Sequence, residues 1–149
     1  MKAWGKVVIN KKLLLFSDGG ARGNPGPAAL AFIAMLENGQ ILTANSRYIG
    51  LRTNNQAEYE AVIAALQFAA AAHAEEVVCY LDSELVVKQL TGEYAVKNSG
   101  LRKLWSQAKE LSRCFKKISF VSVPRSNPQI QKADALVNKA LDEAMKNYS

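Results

Sequence analysis

The order of extended and helical segments is the feature that most constrains how this chain can fold. Three strand-like segments come first, at residues 12–17, 28–35 and 41–49. A short connection containing Asn38-Gly39, a strong hairpin signal, joins the second segment to the third. Helical and strand-like segments then alternate to the end of the chain. This order is typical of a mixed sheet with helices on its faces, and therefore of an α/β fold.

The first helical segment, residues 54–72, has apolar residues at helical spacing. Thr53 and Gln56 form a predicted capping box at its start. Its inward-facing positions are Glu58, Ala61, Val62, Ala65, Leu66 and Ala69. The segments that follow are a strand at 77–81, a short helix from about Ser83 to Gly92, a helix at 100–113, a strand at 118–123, an irregular loop at 124–131 and a final helix at 132–147. Residues 7–9 either extend the first strand or pair with it.

Four carboxylates stand where strands or helices of this pattern begin or end. Asp18 ends the first strand, Asp82 follows the strand at 77–81, and Asp134 begins the last helix. Glu58 lies one turn into its helix and shares a face with core residues, although the helix dipole also favours an acid near a helix start. Acids clustered on the core side of a protein are destabilising unless cations compensate their charge. The four positions therefore predict metal-dependent chemistry on a polyanion.

The charge of the chain also points to a polyanionic partner. The chain carries 19 Lys and Arg against 13 Asp and Glu, a formal net charge of +6. Basic residues are concentrated after Asp82, at Lys88, Lys97, Arg102, Lys103, Lys109, Arg113, Lys116 and Lys117. Such a face suits a phosphate backbone. The alternative is a solvated helix surface rich in lysine.

Length and composition indicate a single domain over residues 1–149. The chain is 49% hydrophobic and 21% charged, the balance of a globular protein. Its longest apolar stretch, residues 61–72, is shorter than the roughly 20 residues of a membrane span, and we find no signal peptide. Two cysteines are too few for a disulfide scaffold. These features predict a cytoplasmic protein that does not enter membranes.

Four short blocks of this sequence resemble the signature of the type 1 ribonuclease H family. They are DGGARGNPG at residues 18–26, TNNQAE at 53–58, Asp82-Ser83, and ADALVN at 133–138. The blocks occur in the family's order, and the resemblance covers nearly the whole chain. It implies a ribonuclease H-like fold, in which helices flank a five-stranded mixed sheet of three antiparallel strands followed by parallel strands. It also implies an endoribonuclease that hydrolyses the RNA strand of RNA/DNA hybrids and leaves 5′-phosphate and 3′-hydroxyl ends.

The active-site acids of that family correspond to Asp18, Glu58, Asp82 and Asp134. By this correspondence they hold two Mg²⁺ ions, for which Mn²⁺ can substitute, around the scissile phosphate. Oxygen ligands suit a hard cation, and two ions about 4 Å apart activate an attacking water and stabilise the leaving oxygen. No protein nucleophile is needed, in keeping with the lack of a Ser-His or Cys-His arrangement in the sequence.

Further residues match family positions that contact the nucleic acid. The substrate-binding candidates are Asn24, Thr53, Asn54, Asn55, Lys97, Asn98 and Arg125. The resemblance places Asn24, Asn54 and Asn55 near 2′-hydroxyls, which both donate and accept hydrogen bonds. It places Thr53 and Lys97-Asn98 at a pocket for a phosphate of the DNA strand. The local alternatives are a turn residue at Asn24 and a helix cap at Thr53.

The chain departs from the family pattern in three places. Residues 89–98 leave no room for the basic protrusion of many members, so we expect a compact form, without a separate hybrid-binding domain. The loop before Asp134 lacks the histidine of many relatives, and Arg125 is the candidate for an analogous role; a phosphate clamp and a solvated arginine are the alternatives. Ile130 stands where an asparagine is usual, and we expect this loop to be longer and more mobile than in relatives.

Three functional hypotheses are compatible with the sequence. The first is a monomeric ribonuclease H that acts on RNA/DNA hybrid. The second adds double-stranded RNA as a substrate, because a surface without the protrusion is less strict about the second strand. The third is a non-catalytic module that binds hybrid or RNA. Retaining four mutually repelling acids lowers stability when no metal is bound, and this favours catalysis.

Overall fold

The structure of this protein is a computed structural model, which describes residues 12–146. Its elements, in chain order, are β1 (Lys12–Ala21), β2 (Gly26–Met35), β3 (Ile41–Arg52), α1 (Asn54–Ala71), β4 (Glu76–Leu81), α2 (Glu84–Leu90), α3 (Ser99–Ser112), β5 (Lys117–Ser122) and α4 (Pro128–Lys146). The strand considered at residues 7–9 lies outside the described residues, and so does residue 147, the last one expected in the final helix.

The strands form one five-stranded sheet in the order β3-β2-β1-β4-β5. β1 pairs antiparallel with β2, and β2 pairs antiparallel with β3. On its other edge β1 pairs parallel with β4, which in turn pairs parallel with β5. The mixed sheet expected from the sequence is confirmed. β1 is its central strand, and the antiparallel and parallel halves of the sheet meet on it.

Helices cover both faces of the sheet because successive side chains of a strand point to opposite faces. On one face, Leu13 and Leu15 of β1 belong to a core cluster that includes residues of α1, α2 and α3. On the other face, Phe16 of β1 packs in a second cluster with Ile130 and Val137 of α4. The apolar positions predicted to face inward on α1 are all buried. The central strand is therefore enclosed on both faces.

Most helix boundaries lie close to those expected from the sequence. The capping box at the start of α1 is present, since the Thr53 side chain accepts from the Gln56 N–H and the Gln56 side chain accepts from the Thr53 N–H. The Ser83 hydroxyl caps α2 by accepting the N–H of Val86. Only residues 91–98 connect α2 to α3, and no helix lies among them. The compact form without a protrusion at this point is confirmed.

The prediction that β1 ends at Asp18 is wrong. Asp18 pairs with Ala31 of β2, and the pairing continues through the two following glycines to Ala21. Glycines often mark turns, but they also occur inside strands where another backbone approaches closely. Asp18 therefore lies within the central strand, where its backbone is held in the sheet.

The expected loop before the last acid is also wrong over residues 128–131. α4 begins at Pro128, because the Asn127 side chain accepts the N–H groups of Gln129 and Ile130 and a proline fits the first position of a helix. The connection from β5 is therefore residues 123–127, shorter than expected. It follows that Asp134 lies in the second turn of α4 and not at its start.

The buried side chain of Ile130 explains why α4 begins early. Ile130 is fully buried in the core cluster that joins α4 to the sheet. Burying an aliphatic side chain of this size contributes roughly 2 kcal/mol, which favours a helical first turn over an irregular loop. Within residues 12–146, no helix combines the length and the apolar character needed to cross a membrane.

Candidate active site

Two adjacent strands bring the first pair of acids together. Asp18 lies on β1, and Asp82 directly follows the end of β4, the parallel neighbour of β1. Asp18 is 7% exposed, and the side chain of Asp82 is 9% exposed. Because the two strands are paired along residues 12–16 and 76–80, the separation of the two carboxylates is fixed by the sheet.

A close contact between backbones brings Glu58 to the same place. Gly19, next to Asp18, lies directly under α1 at residues 57–58. A Cβ atom on Gly19 would lie 2.2 Å from the carbonyl oxygen of Ala57 and 2.8 Å from the backbone nitrogen of Glu58. Only glycine allows this approach. The half-buried Glu58 therefore stands over the central strand beside Asp18.

Asp18, Glu58 and Asp82 form a compact group of carboxylates. One oxygen from each lies within 4.8 Å of the others. Burial and the neighbouring charges of Asp82, Glu58 and Asp134 raise the pKa of Asp18 to about 8. Burial and the charge of Asp82 raise the pKa of Glu58 to about 8 as well, partly opposed by Arg125. The shifts show that the fold holds these acids closer together than their charges favour without a cation.

Asp134 approaches the group from the other side of the sheet, on α4. Its side chain is exposed, and its negative charge is one of those that raise the pKa of Asp18. The structure thus brings all four predicted acids together, three as a tight group and Asp134 at its open edge.

Arg125 lies beside the acids and is the partner of Asp82. Its Nε donates to Asp82 Oδ2 over 3.0 Å, although 84% of the arginine side chain is exposed. Arg125 also lines an open cavity of about 540 Å³ with Glu58 and Asp82. The guanidinium partly neutralises the cluster.

The cluster fits hard divalent cations. All its donors are carboxylate oxygens, the ligands that Mg²⁺ and Mn²⁺ prefer. A bound cation would replace the protons that the raised pKa values of Asp18 and Glu58 imply, and it would offset the repulsion among the acids. The residues that could hold such ions are Asp18, Glu58, Asp82 and Asp134.

The metal-free protein is expected to lose stability as the pH rises from about 5 to 8.5. The pKa values of Asp18 and Glu58 are about 8 in the folded protein, against reference values of 3.8 and 4.5. Between these limits the folded state binds more protons than the unfolded state, so its stability decreases with rising pH. We expect a loss of at least about 2 kcal/mol, since one pKa unit corresponds to about 1.4 kcal/mol. Urea unfolding in EDTA at several pH values measures it. A free energy of unfolding that stays level or rises over this range would contradict the raised pKa values of Asp18 and Glu58.

A second pocket, which we call the asparagine pocket, contains most of the other predicted site residues. It is lined by Asn24, Thr53, Asn54, Asn55, Gln56, Asn98 and Leu101. The amide oxygens of Asn24, Asn54 and Asn98 accept the backbone N–H groups of Asn54, Ala21 and Leu101, respectively. This pairing leaves the NH₂ groups of these three side chains available as donors. The helix cap expected at Thr53 is confirmed, and Asn98 caps α3 in the same way.

Two predicted residues lie elsewhere, and some neighbours of the acids were missed. Lys97 is exposed beside Asn98 and does not line the asparagine pocket, whereas Arg125 lies at the acids. Glu84 lines the cavity at the acids, and Asn138 donates to Asp134. Asn138 follows Asp134 by one helical turn, a spacing that was readable from the sequence.

Comparison with known proteins gives consistent results. Residues 16–140 match the family described as reverse transcriptase-like. Ribonuclease HI of Halobacterium salinarum is 43% identical over 129 residues, which cover 87% of this chain and 64% of that protein. The bifunctional protein Rv2228c of Mycobacterium tuberculosis is 40% identical over 134 residues, 89% of this chain and 36% of its own length. This chain thus spans less than two thirds of the length of either relative.

Solved structures of ribonucleases H1 superimpose closely on this fold. The crystal structure of the Halobacterium salinarum enzyme has a TM-score of 0.85 at 42% identity and covers 89% of this chain and 98% of its own. The structure of LC11-RNase H1, which was isolated from compost, in complex with RNA/DNA hybrid has a TM-score of 0.82 at 39% identity, covering 89% and 99%. Sequence, strand order and the grouped acids agree, and the chain belongs to the type 1 ribonuclease H family.

Proposed function

We propose that this protein is an endoribonuclease that hydrolyses the RNA strand of RNA/DNA hybrids. The observation that carries the proposal is the group of Asp18, Glu58 and Asp82, whose oxygens lie within 4.8 Å of one another. A fold that holds buried acids this close is stabilised when cations bind them. The similarity to ribonuclease HI, and to a relative solved in complex with RNA/DNA hybrid, supports the same activity.

Asp18, Glu58, Asp82 and Asp134 would hold two Mg²⁺ ions, with Mn²⁺ as a substitute. Such ions, when bound, activate the attacking water and stabilise the leaving 3′ oxygen, which gives 5′-phosphate and 3′-hydroxyl ends. The role of the protein is to hold these carboxylates at a fixed spacing. Asp18 lies on β1 and Asp82 just after β4, while Glu58 and Asp134 lie on α1 and α4. Because Asp18 and Asp82 are almost fully buried, their orientation does not depend on the substrate.

The asparagine pocket is suited to the nucleic acid on chemical grounds. The N-termini of α1 and α3 both open into it, and neither helix has an acidic residue in its first turn. Helix N-termini attract anions through their unpaired N–H groups and dipoles. We assign Thr53 and Asn98 to a phosphate of the DNA strand, with the charge of Lys97 nearby. The NH₂ groups of Asn24, Asn54 and Asn55 are suited to 2′-hydroxyls of the RNA strand.

Arg125 is proposed to contact a phosphate of the substrate during the reaction. In the structure its guanidinium is paired with Asp82. Once Asp82 binds a cation, its attraction for Arg125 weakens, and the mostly exposed side chain can turn toward an anion. This role is the phosphate clamp that the sequence left open as an alternative to a histidine-like role.

The proposal is tested by incubating the protein with labelled RNA/DNA hybrid, double-stranded RNA and single-stranded RNA, each with Mg²⁺, Mn²⁺ or EDTA. We expect the RNA strand of the hybrid to be cut with either metal and not in EDTA, and the products to carry 5′-phosphates. Glu58→Gln should remove the activity. Glu110→Gln, a matched change at an exposed acid of α3, should cut like the unaltered protein.

The other lanes of this assay decide between the alternatives. Cutting of double-stranded RNA at a rate comparable to that of the hybrid would extend the substrate range, as a surface without the protrusion allows. Binding of hybrid with no cutting under any metal would contradict the nuclease and favour a binding module. The cytoplasmic location and the monomeric state stay predictions of the sequence.

A further inference from the structure

Asp134 differs from the other acids of the site in what holds its side chain. Asp18 and Asp82 are nearly fully buried, but Asp134 is exposed on α4. An exposed side chain moves among several rotamers unless hydrogen bonds restrict it. A carboxylate that must meet a cation at a defined distance therefore needs a partner that orients it.

Asn138 is such a partner. It lies one helical turn after Asp134, and its Nδ2 is 3.1 Å from the Asp134 carbonyl oxygen and 3.4 Å from Asp134 Oδ2. The amide therefore approaches one carboxylate oxygen from the α4 side. Asn138 thus restricts the rotamers that the exposed Asp134 carboxylate can adopt.

Arg22 fixes the orientation of the Asn138 amide in turn. Arg22 Nη2 donates to Asn138 Oδ1 over 3.2 Å and to the Asn138 carbonyl oxygen over 3.4 Å. It also forms an ion pair of 2.8 Å with Asp142, one helical turn further along this side of α4. Because the guanidinium has only donors, it selects the oxygen end of the amide. The NH₂ end is then directed to Asp134.

Arg22 links two parts of the chain that carry acids of the site. It follows β1, which carries Asp18, and it contacts α4, which carries Asp134. These are exposed polar contacts, and such contacts contribute little to stability. These contacts have a specific effect on geometry, however, because they join the end of β1 to α4, the helix that carries Asp134.

We propose that Asn138 and Arg22 are positioning residues that hold Asp134 in place for cation binding. This inference rests on the proposed function, since it assigns Asp134 to the metal centre. Neither residue touches the substrate or the reacting atoms in this role. Partners that orient a metal ligand typically change metal affinity or activity by about 10- to 100-fold when they are removed.

The test compares Asn138→Leu and Arg22→Leu with the unaltered protein and with Arg47→Leu. Leucine matches asparagine in size and removes the hydrogen bonds. Arg47 is a matched control, because it is an exposed arginine of β3 that lies outside the basic stretch after Asp82. Calorimetric titration with Mg²⁺, thermal unfolding in EDTA, and the kinetics of hybrid cleavage are measured on each protein.

We expect both variants to unfold close to the temperature of the unaltered protein and to bind Mg²⁺ about tenfold more weakly, while the Arg47 control is unchanged. The kcat at low Mg²⁺ should fall with little change in KM for the hybrid, and excess Mg²⁺ should restore part of it. Arg22→Lys, which keeps the charge opposite Asp142 but lacks the forked guanidinium, should be intermediate. Unchanged Mg²⁺ affinity and unchanged kcat in both leucine variants would overturn the inference.

The readouts separate this inference from the proposed function. If the unaltered protein binds Mg²⁺ but cuts no hybrid, the proposed nuclease fails, and the Mg²⁺ affinities of the two variants still decide whether Asp134 is positioned in this way. If one of the two leucine variants does not fold, the other still tests the proposal, because each variant removes the hydrogen bond between Arg22 and Asn138.

Discussion

Replacing Asp18 with asparagine is expected to abolish hybrid cleavage while raising the stability of the metal-free protein. Asparagine has the size and shape of aspartate, but its side chain is a neutral amide in place of a negatively charged carboxylate. The central carboxylate of the cluster is then lost, and with it the charge that, under the proposed function, would hold cations against the scissile phosphate. We expect a fall in kcat of at least about 10³-fold, the upper range for removing one group that stabilises a transition state electrostatically.

The gain in stability has the same origin as the loss of activity. Asp18 is buried beside three other acids, and burial and their charges raise its pKa to about 8. The Asp18→Asn substitution would remove one charge from this group, and so reduce the repulsion among the remaining acids. At pH 8 in EDTA we expect a gain on the order of 2 kcal/mol, measured by urea unfolding. Full activity in this variant, or a loss of stability at pH 8, would refute the assignment of the metal site.

Gly19→Ala is expected to destabilise the protein severely. Its Cβ would lie 2.2 Å from the oxygen and 2.4 Å from the carbon of the Ala57 carbonyl, and 2.8 Å from the nitrogen of Glu58. All three are backbone atoms of α1, so no side chain can rotate away. Relief requires α1 to move off the central strand, which opens the main core cluster. We expect a cost of about 3 kcal/mol or more, at the upper end of overpacking effects.

The same substitution separates the acids, because Gly19 adjoins Asp18 on β1 and contacts the backbone at Glu58 on α1. Any Gly19→Ala protein that still folds should bind Mg²⁺ weakly. Gly20→Ala is the matched control, since its Cβ would meet only a Val137 methyl at 3.8 Å and Asn54 Oδ1 at 3.9 Å, which is ordinary contact. Urea unfolding of both variants measures the effect. Equal stabilities for the two would show that α1 does not lie this close to β1.

The mixed sheet was predictable from the order of extended and helical segments along the chain. The hairpin at Asn38-Gly39, the capping box at Thr53 and Gln56, and the alternation after β3 are local signals that agree with one another. The structure departs from prediction where a local signal is opposed by a tertiary contact. The glycines after Asp18 suggest a turn, but they extend the strand because α1 packs against that backbone.

The start of α4 was missed for a related reason. Asn127 and Pro128 are a valid helix start, but they lie in a stretch whose polar residues resemble a loop. The burial of Ile130 against the sheet favours a helical first turn over a loop. Placing Asp134 at the helix start followed from that error.

The four acids of the site could be identified from sequence blocks, whereas their supports could not. Asp18, Glu58 and Asp82 occur in short motifs, and the motifs state which residues meet but not at what distance. The contact between Arg22 and Asn138 joins positions 116 residues apart, and no periodicity connects them. That residues 1–149 form a single catalytic domain stays a prediction.

The most direct measurement is cleavage of labelled RNA/DNA hybrid as a function of Mg²⁺ concentration, alongside calorimetric titration of the same protein with Mg²⁺ at about pH 7.5. We expect cleavage to rise over the Mg²⁺ range in which the protein binds the ion, and binding to release protons, because Asp18 and Glu58 have pKa values of about 8 without metal. EDTA should abolish the cleavage. Hybrid cleavage that persists in EDTA, or Mg²⁺ binding that saturates without any cleavage, would contradict a metal-dependent ribonuclease centre at these acids.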